Sequence, residues 1–490
     1  MKYIFSIDQS TQGTKALLFD EQAVLIARAD RPHRQIINEK GWVEHDPQEI
    51  LLNTMVVCAD VIAKAGIVKD DIAAMGISNQ RETVVAWDRL NGEPLYNAIV
   101  WQCSRAAEMC QEWESHADEV KTKTGLMLSP YFSAPKMAWM LQYVPAVQEA
   151  AKKGTLCLGT IDSYLVWKLT EEHTFKTDYS NASRTSLLNL NTLSWDDGLC
   201  EMYGIPKAAL PDICMSDALY GHTFLGGLLA KPLPICGVLG DSHAALLGQQ
   251  CLHPGDVKAT YGTGSSVMMQ TGSTRVDSTC GLVTSLAWGL NGQISYVLEG
   301  NLNYTGAVIS WLKKDVGLIA SDQESETLAY AANPEDTACF VPAFTGLGAP
   351  YWDSMVTGML TGITRTTGRA EIIRACLECI GFQIDDLLSR MSKDAGLTVS
   401  ELRVDGGPTS NKYLMQFQSD ISGITLRVPR IQELSGMGAA LAAGFSCGLY
   451  QAAQAYSGMK HTFYKPSMGE QWQITCHNRW HAAMKQVLTH

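Results

Sequence analysis

Residues 8–15, Asp-Gln-Ser-Thr-Gln-Gly-Thr-Lys, follow directly on the apolar segment 4–7, which is typical of a buried strand. Small residues such as Ser10 and Gly13 let a ligand approach the backbone closely, so that hydroxyl and amide groups can point at anionic oxygens. Asp8 adds a carboxylate oxygen, a ligand that Mg²⁺ prefers. The stretch therefore predicts a strand and a loop that cradles a polyphosphate, although an ordinary Gly/Ser turn between strands has the same composition.

A second loop of this kind, Thr-Tyr-Gly-Thr-Gly-Ser-Ser, occupies residues 260–266, and Asp241 lies ahead of it at the end of a short apolar strand. A third Gly-rich turn covers residues 404–411. Strands and helices alternate, and their order restarts after Asp241, so we interpret the chain as an α/β protein with a two-fold repeat. The predicted domains are residues 1–245 and 246–490. Ligands in such layers bind at the carboxyl ends of strands, which predicts one interdomain cleft lined by the three loops.

The composition fits a large enzyme without a membrane or nucleic-acid partner. The chain has 490 residues, enough for about two to four domains of roughly 100–200 residues. Its formal net charge of -12 argues against a nucleic-acid-binding surface. The longest uncharged run, residues 278–298, contains polar residues and an Asn291-Gly292 turn, so it predicts a β-hairpin and not a membrane span. The N-terminus enters a strand at once, without a signal-peptide pattern, so we expect a cytoplasmic protein.

Fourteen cysteines without a secretion signal predict reduced, mostly buried thiols. Only Cys376 and Cys379 have metal-like spacing, and they lie in a helical segment without a second pair or a nearby His, which favours packing over metal binding. The sequence Asp241-Ser242-His243 contains the residue types of a serine hydrolase. Adjacency in sequence is not triad geometry, and the sequence has no Gly-x-Ser-x-Gly elbow, so we assign no serine nucleophile.

Local patterns predict many of the secondary-structure elements. Asp46 and Pro47 supply an N-cap and a first helical residue for a helix that ends near Ala65. The turn Asn91-Gly92 predicts a hairpin. The other predicted elements are a hairpin of residues 14–19 and 24–29, a strand at 72–78, hairpin strands at 83–88 and 95–101, a mostly helical stretch to about 168, a mixed region to 234, a strand at 234–240 and a helix at 244–250.

Several longer motifs occur together, in one order, along nearly the whole chain. They resemble those of the FGGY carbohydrate kinases, and most closely those of the glycerol kinases, and as a set they are far more specific than any one Gly-rich loop. Both signature regions of the family are recognisable, around residues 131–142 and 358–378. The motifs are DQ-x-T at 8–11, GWVEHDP at 41–47, NQRE at 79–82, AIVWQ at 98–102, GD at 240–241, YGTG at 261–264, PAFTGLGAPYW at 342–352 and VDGG at 404–407.

The resemblance implies two actin-like (ribonuclease-H-like) domains that close on ATP and a small polyol or sugar. It implies Mg²⁺ as cofactor, with Asp8 and Asp241 on the metal and Asp241 as general base, and a homodimer or homotetramer as the assembly. Residues implied near the nucleotide phosphates are Thr11, Gln12, Lys15, Thr263 and Gly264, and those implied around the adenosine are Gly306, Gly407 and Asn411, with Ser310 where glycerol kinases have a Gln. Residues implied for the acceptor are Arg81, Glu82, Trp101, Tyr131, Asp241, Ser242 and Ser266.

Elementary chemistry is consistent with these roles. Phosphoryl transfer needs an oriented hydroxyl, neutralised phosphate charge and a group that accepts the hydroxyl proton, and an Asp beside the metal can be that group. Arg81 and Glu82 offer a donor and an acceptor for vicinal hydroxyls, although adjacent opposite charges are more often an exposed pair. Trp101 and Tyr131 can stack on a carbon chain, although isolated aromatics are usually core residues. The ordered set of motifs favours the functional role in each case.

The sequence departs from the glycerol kinases mainly at the acceptor. Ser242 stands where they carry a Gln and Ser266 where they carry a Phe, so a wider and more polar pocket is predicted. Residues 226–232 also lack the loop with which bacterial glycerol kinases bind a regulatory sugar bisphosphate, so that regulation is not expected. We therefore predict an ATP-dependent kinase for a terminal hydroxyl of a small polyol or ketose. The alternatives are a glycerol kinase with a divergent pocket and an actin-like ATPase without an acceptor.

Overall fold

A computed structural model describes residues 1–353 and 355–489 of the chain. The strands are β1 Tyr3–Gln9, β2 Gly13–Phe19, β3 Leu25–Pro32, β4 Ile36–Ile37, β5 Val43–His45, β6 Ile72–Asn79, β7 Val84–Asp88, β8 Ala98–Ile99, β9 Leu156–Thr160, β10 Lys176–Asp178, β11 Leu188–Asn189, β12 Ser194–Trp195, β13 Asp212–Cys214, β14 Gly221–Thr223, β15 Leu233–Gly240, β16 Val257–Tyr261, β17 Ser265–Gly272, β18 Val283–Leu290, β19 Gln293–Leu302, β20 Cys339–Val341, β21 Met359–Thr361, β22 Glu401–Asp405, β23 Thr425–Pro429 and β24 His461–Tyr464. The helices are α1 Pro47–Ala65, α2 Ala107–Glu112, α3 Ala117–Thr124, α4 Ser133–Tyr143, α5 Pro145–Lys153, α6 Ile161–Leu169, α7 Tyr179–Ala182, α8 Asp197–Met202, α9 Asp241–Gly248, α10 Gly306–Lys314, α11 Asp322–Ala331, α12 Arg369–Ala395, α13 Lys412–Ser422, α14 Leu434–Ser446, α15 Ala452–Ala455 and α16 Glu470–Leu488.

The described residues form two compact units, each assembled from three segments of the chain. The first unit contains Met1–Gln250, Thr284–Tyr296 and Glu433–Met459, and the second contains Cys251–Val283, Val297–Gln432 and Lys460–His490. The units are thus interleaved in sequence, which a single division near residue 245 does not describe. The domain bounds 1–245 and 246–490 stay a prediction.

A six-stranded sheet with the order β14-β15-β6-β1-β2-β3 forms the centre of the first unit. Strands β15, β6 and β1 are parallel neighbours, and the last residues of the three, Gly240, Asn79 and Gln9, stand opposite one another. Strands β2 and β3 add the antiparallel hairpin that the sequence predicts. Because the carboxyl ends of the three parallel strands meet at one edge, the side chains that follow them are brought together there.

Helix α14 packs on this sheet through small residues. Its sequence from residue 434 is LSGMGAALAAG, and a Cβ placed on Gly76 of β6 would lie only 2.2 Å from the carbonyl oxygen of Ala439. A Cβ on Gly438 would lie 1.8 Å from the carbonyl oxygen of Ala244 in α9. The backbones therefore approach as closely as glycine permits, and this contact fixes the position of the helix on the sheet.

Other predicted elements are mostly confirmed. Helix α1 has the predicted bounds, and the Asp46 side chain accepts a hydrogen bond from the backbone N–H of Gln48. The hairpin around Asn91-Gly92 forms, but its second strand is only Ala98–Ile99, and the bridge to Trp87 is made by Pro94, which has no N–H to continue the ladder. The mostly helical stretch predicted up to residue 168 is confirmed by α2 to α6, but β9 interrupts it. The sequence does not indicate this strand, because a short, fully buried strand shows no alternating pattern.

In the second unit, strands β19, β17, β16, β22, β23 and β24 are neighbours in that order. Strands β16 and β22 are parallel, with Thr260 opposite Asp405, so the second and third Gly-rich loops start from one edge of this sheet. A core of apolar side chains around the 27-residue helix α12 packs against it.

Three further predictions from the sequence can be compared with the structure. The uncharged run forms the hairpin β18–β19, and its turn residues Asn291 and Gly292 have φ values of 52° and 74°, as a two-residue primed turn requires. All fourteen cysteines are described and none forms a disulfide; eleven are buried. Among the described residues, no helix has the length and apolar character needed to cross a membrane.

Candidate active site

Three predicted acceptor residues lie together at the carboxyl edge of the first sheet. Nε of Arg81 lies 3.4 Å from Oδ1 of Asp241 and 3.9 Å from Oε1 of Glu82. Arg81 is 5% exposed and Glu82 2%, so they are not the exposed surface pair that adjacent opposite charges usually form. Asp241 is 32% exposed at its side chain, so its carboxylate stays accessible from solvent.

Glu82 is held in an unusual backbone conformation. Its φ of 61° is left-handed, a region that non-glycine residues occupy at a cost and that recurs at active sites. The Ser133 hydroxyl donates to the Glu82 carbonyl oxygen over 3.1 Å, and Nε of Arg184 donates to Oε1 of Glu82 over 2.6 Å. Arg184 is fully buried and lies 102 residues away in sequence, so no local pattern could have identified it as a partner.

The negative charge of Asp241 acts on Asp8. Burial raises the pKa of Asp8 to about 6; Lys15 opposes this shift, whereas the negative charges of Asp241 and Glu433 add to it. Asp241 is the first residue of α9, and the backbone N–H of Ser242 donates to its Oδ1 over 2.6 Å. Two carboxylates that repel each other across a partly open site are suited to share a cation.

The residues present fit a magnesium ion. Oδ1 of Asp8 is buried and accepts no hydrogen bond of ordinary geometry, although the Ser78 hydroxyl is close enough to lower the pKa of Asp8. Mg²⁺ usually takes one or two carboxylates, with water and substrate phosphates completing its octahedron. This explains why no group of three or more His, Cys, Asp or Glu residues in the described ranges is arranged to hold a metal alone.

The first Gly-rich loop is held from several sides. The backbone N–H of Ser10 closes the turn on the Gly13 carbonyl oxygen over 2.9 Å. Nε1 of Trp101 donates to Oγ1 of Thr11 over 2.9 Å, and Nε2 of His33 donates to the carbonyl oxygen of the same threonine over 3.0 Å. Thr11, implied for the nucleotide, is therefore bonded to Trp101, implied for the acceptor. Gln12 is exposed at the tip of the loop.

Lys15, which the resemblance places near the phosphates, is engaged with two carboxylates. Its Nζ donates to Oε2 of Glu433 over 2.8 Å and lies 3.8 Å from Oδ2 of Asp8. Glu433 could not be identified from the sequence, because it lies 418 residues from Lys15 and no spacing connects the two.

Trp101 and Tyr131 also lie together, with ring centroids 5.5 Å apart in an edge-to-face arrangement. Below them, the fully buried ammonium of Lys136 donates to the carbonyl oxygens of Tyr131 and Phe132. Burial lowers the pKa of Lys136 to about 7, although the charge of Glu82 opposes the shift. Lys136 thus fixes the segment that carries Tyr131.

The second unit contains a cavity of about 860 Å³, within the range of ordinary ligand sites. It collects five of the residues implied for the nucleotide from separate loops and helices. Gly264 follows Thr263 in the loop but does not line the cavity. Ser266, implied for the acceptor, lies in β17, where its hydroxyl donates to Oε1 of Glu299 over 3.2 Å. The five lining residues are Thr263, Gly306, Ser310, Gly407 and Asn411.

Main-chain contacts hold together the loops that meet at this cavity. The N–H of Gly306 donates to the Gly262 carbonyl oxygen over 2.9 Å, so α10 begins directly on the second loop. Gly406 has a φ of 100°, and a Cβ there would lie 1.9 Å from the Tyr261 carbonyl oxygen. Asn411 caps α13, with Oδ1 accepting from the backbone N–H of Leu414.

The histidine next to Ser242 and the two closely spaced cysteines also have defined neighbours in the structure. Nε2 of His243 lies 3.4 Å from Oγ of Ser285. Cys376 and Cys379 are buried in α12, and the thiol of Cys379 donates to the Cys376 carbonyl oxygen.

Comparison with known proteins covers the chain almost completely. Residues 3–248 match the N-terminal domain of the FGGY family of carbohydrate kinases, and residues 257–447 match its C-terminal domain. Glycerol kinase 2 of Thermotoga maritima is 42% identical over 492 residues, covering 100% of this chain and 99% of the relative. The glycerol kinase of Shewanella woodyi is 43% identical over 494 residues, covering 99% of each.

Solved structures agree. The Plasmodium falciparum glycerol kinase with ADP has a TM-score of 0.94 and 35% identity, covering 100% of this chain and 98% of that one. A ligand-bound xylulose kinase of Lactobacillus acidophilus, at 23% identity, shares the fold with a TM-score of 0.86 over 98% of this chain and 96% of that one. The predicted two-domain α/β fold and the predicted class, an ATP-dependent kinase acting on an alcohol group, are confirmed. The chain belongs to the FGGY family of carbohydrate kinases.

Proposed function

We propose that the chain transfers the γ-phosphate of ATP to a terminal hydroxyl of a small polyol or ketose, with Asp241 as the general base. The observation that carries this proposal is the accessible Asp241 carboxylate beside the buried Arg81–Glu82 pair, at the carboxyl edge of three parallel strands. An ATPase without an acceptor has no use for a buried donor and acceptor beside its base. We further propose that the protein acts in the cytoplasm as a homodimer or homotetramer.

The division of labour follows from these contacts. Arg81 donates to one acceptor hydroxyl and Glu82 accepts from its neighbour, so that the terminal hydroxyl faces Asp241. Asp241 removes the hydroxyl proton as the oxygen attacks the γ-phosphorus, and ADP leaves on the opposite side. Asp8 and Asp241 would hold Mg²⁺, which would neutralise charge on the phosphate oxygens. Trp101 and Tyr131 pack on the carbon chain.

The nucleotide is assigned to the two Gly-rich loops and the cavity of the second unit. Thr11, Gln12 and Lys15 are proposed for the phosphates from the first loop, and Thr263 and Gly264 from the second. Gly306, Ser310, Gly407 and Asn411 are proposed to surround the adenosine. The ADP in the related Plasmodium falciparum glycerol kinase supports ATP as the donor.

A second candidate is that glycerol itself is the acceptor. The names of the relatives at 42% and 43% identity favour it. Ser242 and Ser266 favour a larger acceptor, because a three-carbon substrate would leave polar groups without partners, at about 1–3 kcal/mol each. The hydrogen bond of Ser266 to Glu299 supports a polar wall at this position.

The decisive experiment measures ADP release with C3 to C6 polyols and ketoses, with and without Mg²⁺. We expect turnover only with Mg²⁺ and an acceptor, and slow hydrolysis otherwise. Fast ATP turnover that no acceptor changes would support the ATPase alternative instead.

The same assay decides between glycerol and a longer acceptor. We expect kcat/KM for some longer acceptor to exceed that for glycerol by about tenfold or more, and Ser242→Gln combined with Ser266→Phe to shift the preference towards glycerol. If glycerol is the best substrate of the unchanged protein, or the double variant keeps the preference order, the two serines do not set specificity.

A further inference from the structure

Glu433 lies beside the first Gly-rich loop, although it comes from the last third of the sequence. It is 5% exposed and precedes the first residue of α14. Its Oε2 accepts from Nζ of Lys15 over 2.8 Å, and its Oε1 lies 2.5 Å from a terminal nitrogen of Arg28. One buried carboxylate therefore binds two cations from neighbouring strands of the hairpin β2–β3.

Two carboxylates lie near the ammonium of Lys15. It stands directly opposite Asp8 in the antiparallel pair β1–β2, so both side chains leave the same face of the sheet. Even so, its Nζ lies 3.8 Å from Asp8 and a full ångström closer to Glu433. Without Glu433, this ammonium would pair with Asp8 instead.

Glu433 is fixed in place by the packing of α14. The helix cannot move closer to the sheet, since glycines such as Gly76 already bring the two backbones into contact. A carboxylate at the amino end of a helix is also favoured by the helix dipole. The side chain therefore acts as a rigid anchor for Lys15.

We propose that Glu433 is a positioning residue that holds the Lys15 ammonium away from Asp8 and so keeps Asp8 available to a divalent cation. The proposal rests on the proposed function in one respect, the assignment of Asp8 to the metal. Its consequence concerns metal affinity. If Lys15 moved from 3.8 Å to an ordinary ion-pair distance from Asp8, their attraction would strengthen by roughly the equivalent of tenfold in affinity, and an entering cation would have to displace it.

The test is Glu433→Gln, which keeps the shape of the side chain and removes its charge. Mn²⁺ replaces Mg²⁺ as the probe, and the electron paramagnetic resonance signal of free Mn²⁺ is titrated against the protein without nucleotide, so that Lys15 has no phosphate to contact. We expect Mn²⁺ to bind roughly tenfold more weakly. Arg28→Gln is the matched control: it removes the other partner of Glu433 but leaves the Lys15 ion pair, and Mn²⁺ should bind as in the unchanged protein.

A double-mutant cycle identifies Lys15 as the cause. In a Lys15→Met background, Glu433→Gln should no longer weaken Mn²⁺ binding, since no ammonium remains to close on Asp8. Lys15→Met alone should bind Mn²⁺ at least as tightly as the unchanged protein. An equal loss in both backgrounds overturns the proposal, as does unchanged affinity in Glu433→Gln. Should that variant fail to fold, Glu433→Asp must give an intermediate loss, and the Lys15→Met result alone can still contradict the proposal.

The variant Asp8→Asn distinguishes the role of Glu433 from the assignment of Asp8 to the metal, on which that role rests. Weak Mn²⁺ binding in Asp8→Asn together with normal binding in Glu433→Gln would overturn the role of Glu433 and leave the proposed function intact. Normal binding in Asp8→Asn would overturn both.

Discussion

The candidate site of the first unit and the cavity of the second are held together by different kinds of contact. The first consists of charged side chains at strand ends, each held by a distant partner: Arg81 by Asp241, Glu82 by Arg184 and Lys15 by Glu433. The second lies where loops are joined by main-chain hydrogen bonds and brought into contact by glycines, and side chains such as Tyr304, Trp311 and Phe344 complete its lining.

Because of this difference, the two sites should be sensitive to different kinds of substitution. A change of charge without a change of shape should affect the first site strongly, because buried ions depend on their partners. A change of shape without a change of charge should affect the second, because a single added methyl group meets a carbonyl oxygen. The following predictions test that contrast in order of expected effect.

The largest effect is expected from Asp241→Asn, which keeps the shape and removes the proposed base and one metal ligand. General-base loss typically costs about 10²–10⁴ in rate, so kcat should fall at least a hundredfold while ADP binding is largely retained. Steady-state kinetics and calorimetric ADP titration measure the two. Asp197→Asn, at the first residue of α8 and exposed, is the control and should be silent. A kcat close to that of the unchanged protein would remove Asp241 from the mechanism.

The next effect concerns two adjacent glycines: Gly407, which lines the cavity, and Gly406, which precedes it. Gly406→Ala forces a side chain into a left-handed conformation and against the Tyr261 carbonyl oxygen, and should cost about 2–4 kcal/mol of stability with a clear loss of ADP affinity. Gly407→Ala adds a methyl group that meets no atom within 4 Å and should change the stability little. Thermal unfolding with and without ADP compares them. Equal behaviour of the two variants would show that backbone contact does not shape this cavity.

The smallest expected effect is a dependence of the stability on pH, caused by the titration of Lys136. Its pKa is about 7 in the folded protein and 10.5 when exposed, so between these values the unfolded chain holds a proton that the folded one lacks. Raising the pH through this window therefore favours folding, by at most about 1.4 kcal/mol per pH unit. The stability of the unchanged protein relative to Lys136→Met should rise from pH 7 to pH 9 in thermal unfolding. A difference that does not vary with pH would mean that Lys136 is charged in the fold.

Local signals in the sequence predicted local structure well. Asp46 marks the start of α1, and Asn291-Gly292 forms the predicted turn, because caps and primed turns depend on a few adjacent residues. Strand β9 was missed, because a short buried strand cannot be distinguished from a buried helix by periodicity.

At the site, family motifs identified the candidate residues but not what holds them. Arg184 and Glu433 lie 102 and 418 residues from their partners, and Lys136 binds backbone carbonyls that any residue could supply. Such contacts depend on tertiary packing, which no spacing in the sequence encodes.

The placement of α14 also governs when the first unit can fold during synthesis. Its central sheet is complete once Gln250 has been made, but the helix that covers β6 and β15 belongs to Glu433–Met459. The intervening stretch of about 180 residues takes on the order of ten to forty seconds to translate at roughly 5–20 residues per second. Throughout that interval the nascent chain presents an uncovered apolar sheet face, so binding by a chaperone at that stage, and aggregation of chains released before residue 433, follow directly from the connectivity.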